Sequence, residues 1–228
     1  MNPYRVAEAQ QLLAKWAANP LRAERYPLYG SYLESLAKAE RLNAVLRYLR
    51  PLLVQLAAKS HLERLELVSA LCFAVDFSGK APGSSPVPGM PYDFLEQIAV
   101  PTLLAQRAAA PDDAYAHLWL AMLPSRRWIP ELPERHELLD AALKLAPTDP
   151  YIAERRVDAL MNSIWFSCHH LPEVLLSSEG GFRQEVSSVR SLLPLLQEER
   201  TRVLSAQLSE YEQQVNKYVK AKLGKNDA

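Results

Sequence analysis

The sequence predicts an all-α protein of stacked antiparallel helix hairpins, arranged as an α-solenoid or as an irregular helical bundle. Three observations predict it. Leu and Ala supply 38 and 30 of the 228 residues, whereas Val, Ile and Thr supply only 14, 4 and 3. Straight side chains and Ala lose little freedom in a helix, and strands favour β-branched residues. Apolar residues recur at three- and four-residue steps, and several prolines fall where such runs begin or end.

The first helix is expected from Pro3 to Ala18, capped by Asn2, with Val6, Ala9, Leu13 and Trp16 as its apolar stripe. Asn19-Pro20 ends it, because a residue before proline avoids the helical region. Further helices are expected at Arg22 to Lys38 and Arg41 to Lys59, the latter kinked or split by Pro51. The next runs from His61 to Phe77, with Ser60 and Glu63 forming a capping box. Ser78 to Pro91 then holds three of seven glycines and four of seventeen prolines without any periodicity, which reads as a loop. After it, helices are expected at Tyr92 to Ala110, Pro111 to Leu123, Pro133 to Ala146, Pro150 to Cys168, Gly181 to Leu193 and Leu195 to Leu223. In the last, Leu204, Leu208, Tyr211, Val215 and Tyr218 form a narrow seam, which either caps the stack or joins two copies as a homodimer through 204–218. One helical domain, 1–228, is expected, with a possible internal boundary at 78–91.

Composition narrows the function. Lys and Arg total 26, as do Asp and Glu, so the basic excess of a nucleic-acid binder is missing. No apolar run is long enough for a membrane span, and MNPYRVAEAQ does not read as a secretory leader, so a cytoplasmic location is expected. Cys72 and Cys168 sit among apolar neighbours and read as buried thiols of a reducing compartment, a disulfide between them being the alternative.

Residues Ala116 to Asp149 resemble one tetratricopeptide repeat. Trp119 and Met122 match the large apolar residues of its first helix, Leu139 and Ala142 match its second, where a small residue allows close helix contact, and Pro147 matches its closing proline. The run Ala142 to Tyr151, ALKLAPTDPY, is the most specific part. Leu123 stands where the family has a small residue, and Pro124, Pro130 and Pro133 imply a remodelled hairpin. Tyr26, Tyr29, Gly30 and Leu33 resemble a second first helix, without the closing proline. The segment 92–228 thus carries the repeat-like part. The resemblance implies a scaffold that holds a peptide or partner domain and does no chemistry.

The residues themselves offer few reactive groupings. Neither a phosphate-cradling glycine loop nor a G-x-S-x-G elbow occurs. Cys168, His169 and His170 are zinc-ligand types, and His136 could add another, yet neighbours on a helix point about 100° apart. The histidines also suit a helix C-terminus. Glu131, Glu134, Glu137 and Asp140 suit a helix start better than acid–base chemistry. Arg126, Arg127, Trp128 and Ile129, in a proline-stiffened loop, and the doublet Arg155 and Arg156 are the candidate partner-binding residues, since Trp and Arg dominate interface energetics. Their alternatives are a core anchor for Trp128 and surface ion pairs for the arginines. The function expected is a non-enzymatic bacterial-type scaffold that binds another protein and needs no cofactor, as an adaptor, secretion chaperone or toxin-immunity protein. A small metal-dependent hydrolase using His169 and His170 is the alternative.

Overall fold

A computed structural model describes residues 3–18, 24–38, 42–74, 90–124 and 129–223. Among them no strand occurs. The chain divides into two compact units, Met1–Leu138 and Leu139–Ala228. The division falls inside a helix, away from 78–91; residues 78–89 lie outside those described.

The first unit begins with α1 (Pro3–Ala17), α2 (Pro27–Ala37), α3 (Leu42–Ala57) and α4 (His61–Ala74). In α1 the buried residues are Ala9, Leu12 and Trp16, while Val6 and Leu13 are half-buried at the edges. The helix α2 starts at Pro27, because Tyr26 before the proline takes φ −131° and ψ 62°. Trp16 meets Tyr29 edge-on at 4.8 Å, and Tyr29 in turn lies 6.4 Å from Phe94. Gly30 faces α1 there with room to spare: a Cβ on it would lie 3.6 Å from the Trp16 indole nitrogen, an ordinary contact.

Pro51 does not split α3, which runs unbroken through it. The proline and Arg47, whose carbonyl loses its usual amide partner, are both exposed, while Leu49, Leu52, Leu53 and Leu56 are buried. The break thus falls on the wet side. The expected capping box opens α4: the Glu63 N–H donates to Ser60 Oγ at 3.3 Å, and the Ser60 N–H donates to Glu63 Oε2 at 3.0 Å.

From Tyr92 come α5 (Tyr92–Phe94), a π-helical stretch (Leu95–Ala99) and α6 (Val100–Ala109) in one continuous run. Pro101 stands one residue beyond the wide turns. Its ring would crowd the carbonyl four residues back, and a widened turn relieves that contact. The stretch buries Leu95, Ile98 and Ala99 and packs on α3 and α4. Then α7 (Ala114–Met122) starts three residues later than expected, because Asp113 takes the cap and accepts from the Tyr115 and Ala116 N–H groups. Gln106 on α6 donates to that same carboxylate at 2.8 Å and lies 3.1 Å from His61 Nε2, tying α4, α6 and α7 together.

α8 (Arg135–Leu145) begins in the first unit and ends in the second. The second unit continues with α9 (Pro150–Cys168), α10 (Glu179–Leu192), a 3₁₀ turn (Leu193–Leu195) and α11 (Glu198–Leu223). Asp149 caps α9 and Ser178 caps α10, the latter two residues earlier than expected. Val157, Leu160, Ile164 and Cys168 of α9 meet Phe182, Val186 and Val189 of α10 and Leu204, Leu208 and Val215 of α11 in one core. The seam offered for a second copy is therefore used inside the chain: Leu204, Leu208 and Val215 are fully covered, and Tyr211 packs against the same cluster. Arg183 reaches Asn216 and Arg190 reaches Glu212, so α10 and α11 run antiparallel.

Gly30→Ala is expected to stabilise the protein by about 0.5–1 kcal/mol in urea unfolding, because the new methyl fits and glycine is costly mid-helix. The Glu63 carboxylate is held down to about 2 by the Ser60 hydroxyl, then the Ser60 amide, then Lys59. Its folded pKa is depressed, so its stabilisation is fully present above the ordinary 4.5 and is lost as pH falls through about 2. Amide exchange at the start of α4 is expected to accelerate across that window, and Glu63→Ala is expected to abolish the pH dependence.

Candidate functional site

The C-terminal end of α9 is the most unusual surface of the second unit. A helix leaves its last four carbonyls without internal partners. Here all four are satisfied. Trp165 O accepts from the His169 N–H at 2.9 Å, and Phe166 O from His169 Nδ1 at 2.6 Å. Ser167 O accepts from the Leu176 N–H at 3.0 Å, and Cys168 O from the Leu171 N–H at 2.9 Å. A carbonyl oxygen only accepts, so His169 Nδ1 carries the hydrogen and Nε2 is the outward nitrogen. The 169–176 segment therefore folds back onto the helix end and fixes it.

On that end stand two large aromatics in water. Trp165 is 53% exposed and Phe166 58%. His169 stacks on Trp165 with ring centroids 4.9 Å apart and planes 17° from parallel, and sits 5.1 Å from Phe166. His170 is 4.0 Å from His169, centroid to centroid. Val174 and Leu176, in the returning segment, are also exposed. The cause is positional: Val157, Leu160, Ile164 and Cys168 take the buried stripe at steps of 3, 4 and 4, and Trp165 and Phe166 fall one and two places past it. Isolated exposed apolar residues are ordinary, whereas clustered ones mark contact sites.

Beneath the aromatics the chemistry is quiet. Burial and the Glu185 carboxylate push the Cys168 thiol up to about 11, and Cys72 is raised by burial still further. Both are free, buried thiols. Glu185 receives the Ser163 hydroxyl at 2.6 Å.

The candidate partner residues are placed differently from one another. Arg126, Arg127 and Trp128 lie outside the described residues. Ile129 is half-buried, and its carbonyl accepts from the Leu132 N–H. Arg155 is only 7% exposed; it pairs with Asp158 at 3.1 Å and Glu154 at 3.7 Å and lies over the Tyr151 ring. Asp158 also holds Arg200 of α11 at 2.7 Å. Burial raises the Asp158 carboxyl above the usual range, against the pull of Arg155 and Arg200. Arg156 grips Asp140 with two nitrogens, at 2.8 and 3.1 Å. The doublet's charges are thus engaged within the second unit. The acidic helix start is engaged as well: the Glu134 N–H donates to Glu137, and Asp140 holds Arg156.

His169 and His170 converge on each other and on aromatics. Their rings come together because α9 ends at Cys168, so the helical divergence expected for neighbours does not apply. Among the described residues no three His, Cys, Asp or Glu side chains are grouped to hold a metal ion. No described helix is long and apolar enough to cross a membrane. The chain matches no family model, no curated protein and no solved structure.

The buried positions and raised pKa values predict that Cys72 and Cys168 resist iodoacetamide at neutral pH in the native protein and label fully in urea. Rapid native labelling of Cys168 would show that the α9 end opens.

Proposed function

We propose that this chain is a non-enzymatic helical scaffold that binds another protein through the C-terminal end of α9. The observation that carries the reading is the pair Trp165 and Phe166, exposed on a helix end whose last carbonyls are all bonded. Large aromatics supply contact area for few rotatable bonds, and Trp is among the side chains that dominate interface energies. Fixing them before binding lowers the ordering cost of association. Helices packed in neighbouring pairs, together with the repeat-like run Ala116 to Asp149, support the same reading: a tetratricopeptide-like scaffold that presents surface and performs no reaction.

The hydrolase alternative has less support. His169 Nδ1 is committed to the Phe166 carbonyl, and neither imidazole meets a carboxylate among the described residues. General acid–base work needs a titrating group aimed at a substrate position, commonly oriented by a second one.

Affinity purification from the native cell, with wild type and Trp165→Ala as baits, tests the reading. A partner recovered in stoichiometric amount by wild type is expected to bind the variant more weakly by about 2 kcal/mol or more. The variant's urea midpoint should stay unchanged, since Trp165 is mostly in water. A partner held equally by both baits would remove this surface from the interface.

A further inference from the structure

The turn that closes α9 brings two imidazoles together in water. His169 and His170 are both exposed, and their ring centroids lie 4.0 Å apart. His169 is held from two directions. Its Nδ1–H donates to the Phe166 carbonyl at 2.6 Å, and its ring stacks on Trp165 at 4.9 Å. Tautomer and ring orientation are therefore both fixed, and Nε2 carries its lone pair outward. An imidazole whose other N–H is tied to a backbone carbonyl is the usual arrangement behind a metal-bound histidine, because the tie orients the ring and makes the free nitrogen a better ligand. The His170 imidazole makes no hydrogen bond among the described residues, so its nitrogens are uncommitted.

An ion takes imidazole nitrogens at about 2.0–2.1 Å, which sets two of them about 3 Å apart. Rings with centroids 4.0 Å apart reach that spacing once His170 turns about its own side-chain bonds, and no hydrogen bond resists the turn. Cys168 stays out of the set. It is 3% exposed and packs into the core of the second unit. The three zinc-ligand types adjacent in sequence thus become a pair in space, with further positions on the ion left to water. Imidazole suits copper, nickel and zinc, and affinity within that series peaks at copper(II). Magnesium and calcium prefer oxygen ligands and are excluded.

We propose that His169 and His170 form a two-histidine site for a borderline divalent transition-metal ion, His169 Nε2 being the preset ligand and His170 the one that turns to meet it. The proposal concerns the chain alone and does not depend on the partner reading of this surface. Imidazoles at a helix C-terminus also complement its negative end, a role that leaves metal affinity unmoved, so the test separates the two.

Copper(II) chloride is titrated into the untagged full chain at neutral pH in a non-coordinating buffer, with calorimetry and tryptophan fluorescence as readouts. Trp165 serves as a reporter, since bound copper(II) quenches an indole stacked on its ligand. Wild type is expected to saturate at about one ion per chain. His170→Gln, which breaks no hydrogen bond, is expected to weaken binding about ten-fold or more, and His169→Gln at least as much. Trp165→Phe is expected to lose most of the quenching while calorimetry still records the ion. Magnesium chloride should give no signal. Equal copper affinity in wild type and His170→Gln, undiminished quenching in Trp165→Phe, or no saturable binding would overturn the proposal. His61, His117 and His136 remain in every variant, so an ion held elsewhere would betray itself by that unchanged affinity.

Discussion

The described helices bury apolar faces, α7 on nearly every side, and helices with the segments that join them cover those faces. That constraint organises both units. Burying a Leu or Phe side chain is worth about 1.5–3 kcal/mol, far more than a single surface ion pair. Trp16, Tyr29 and Phe94 meet in the first unit, and Ile164, Phe182 and Leu208 in the second, because no other partner could cover those faces. The polar tie between α9 and α11 is subordinate to this. Arg155, Asp158 and Arg200 form a largely buried cluster whose ions lose hydration, so it fixes the registry of two helices more than it adds stability.

The second demand is that helix ends be sealed. Amides and carbonyls left open at an end must find partners. Ser60 with Glu63, Asp113, Asp149 and Ser178 close the starts of four helices. The end of α9 is closed by its own continuation, which turns back to bring the Leu176 amide to Ser167. This closure has a functional consequence. It leaves Trp165 and Phe166 held in place with more than half of each side chain in water, a combination that favours an outside partner.

Much of the fold was legible locally. Asp149, Ser60 and Glu63 act through neighbours within three residues, and a linear reading reaches that far. Helix starts were misjudged where two local signals competed. Tyr26 before Pro27 interrupts the expected run, whose residues 24 and 25 are helical, and Asp113 overrode Pro111 as the start of α7. The π-helical turns before Pro101 and the unbroken passage of α3 through Pro51 depend on which side of the helix faces water, which is a tertiary fact. The site was legible only in part. Arg155 and Arg156 form a charged doublet in sequence, yet Asp158 and Asp140 answer them in space. Trp165 and Phe166 lie off the stripe Val157–Leu160–Ile164–Cys168, and that offset is visible in the sequence alone.

The most direct test of this account is hydrogen–deuterium exchange of the chain alone and with its captured partner. The chain alone should show amides 169, 171 and 176 protected, since each donates to the α9 end. Adding the partner should deepen protection across 165–178 and leave α1 to α4 unchanged. Protection confined to the first unit, with 165–178 exchanging as before, would contradict it.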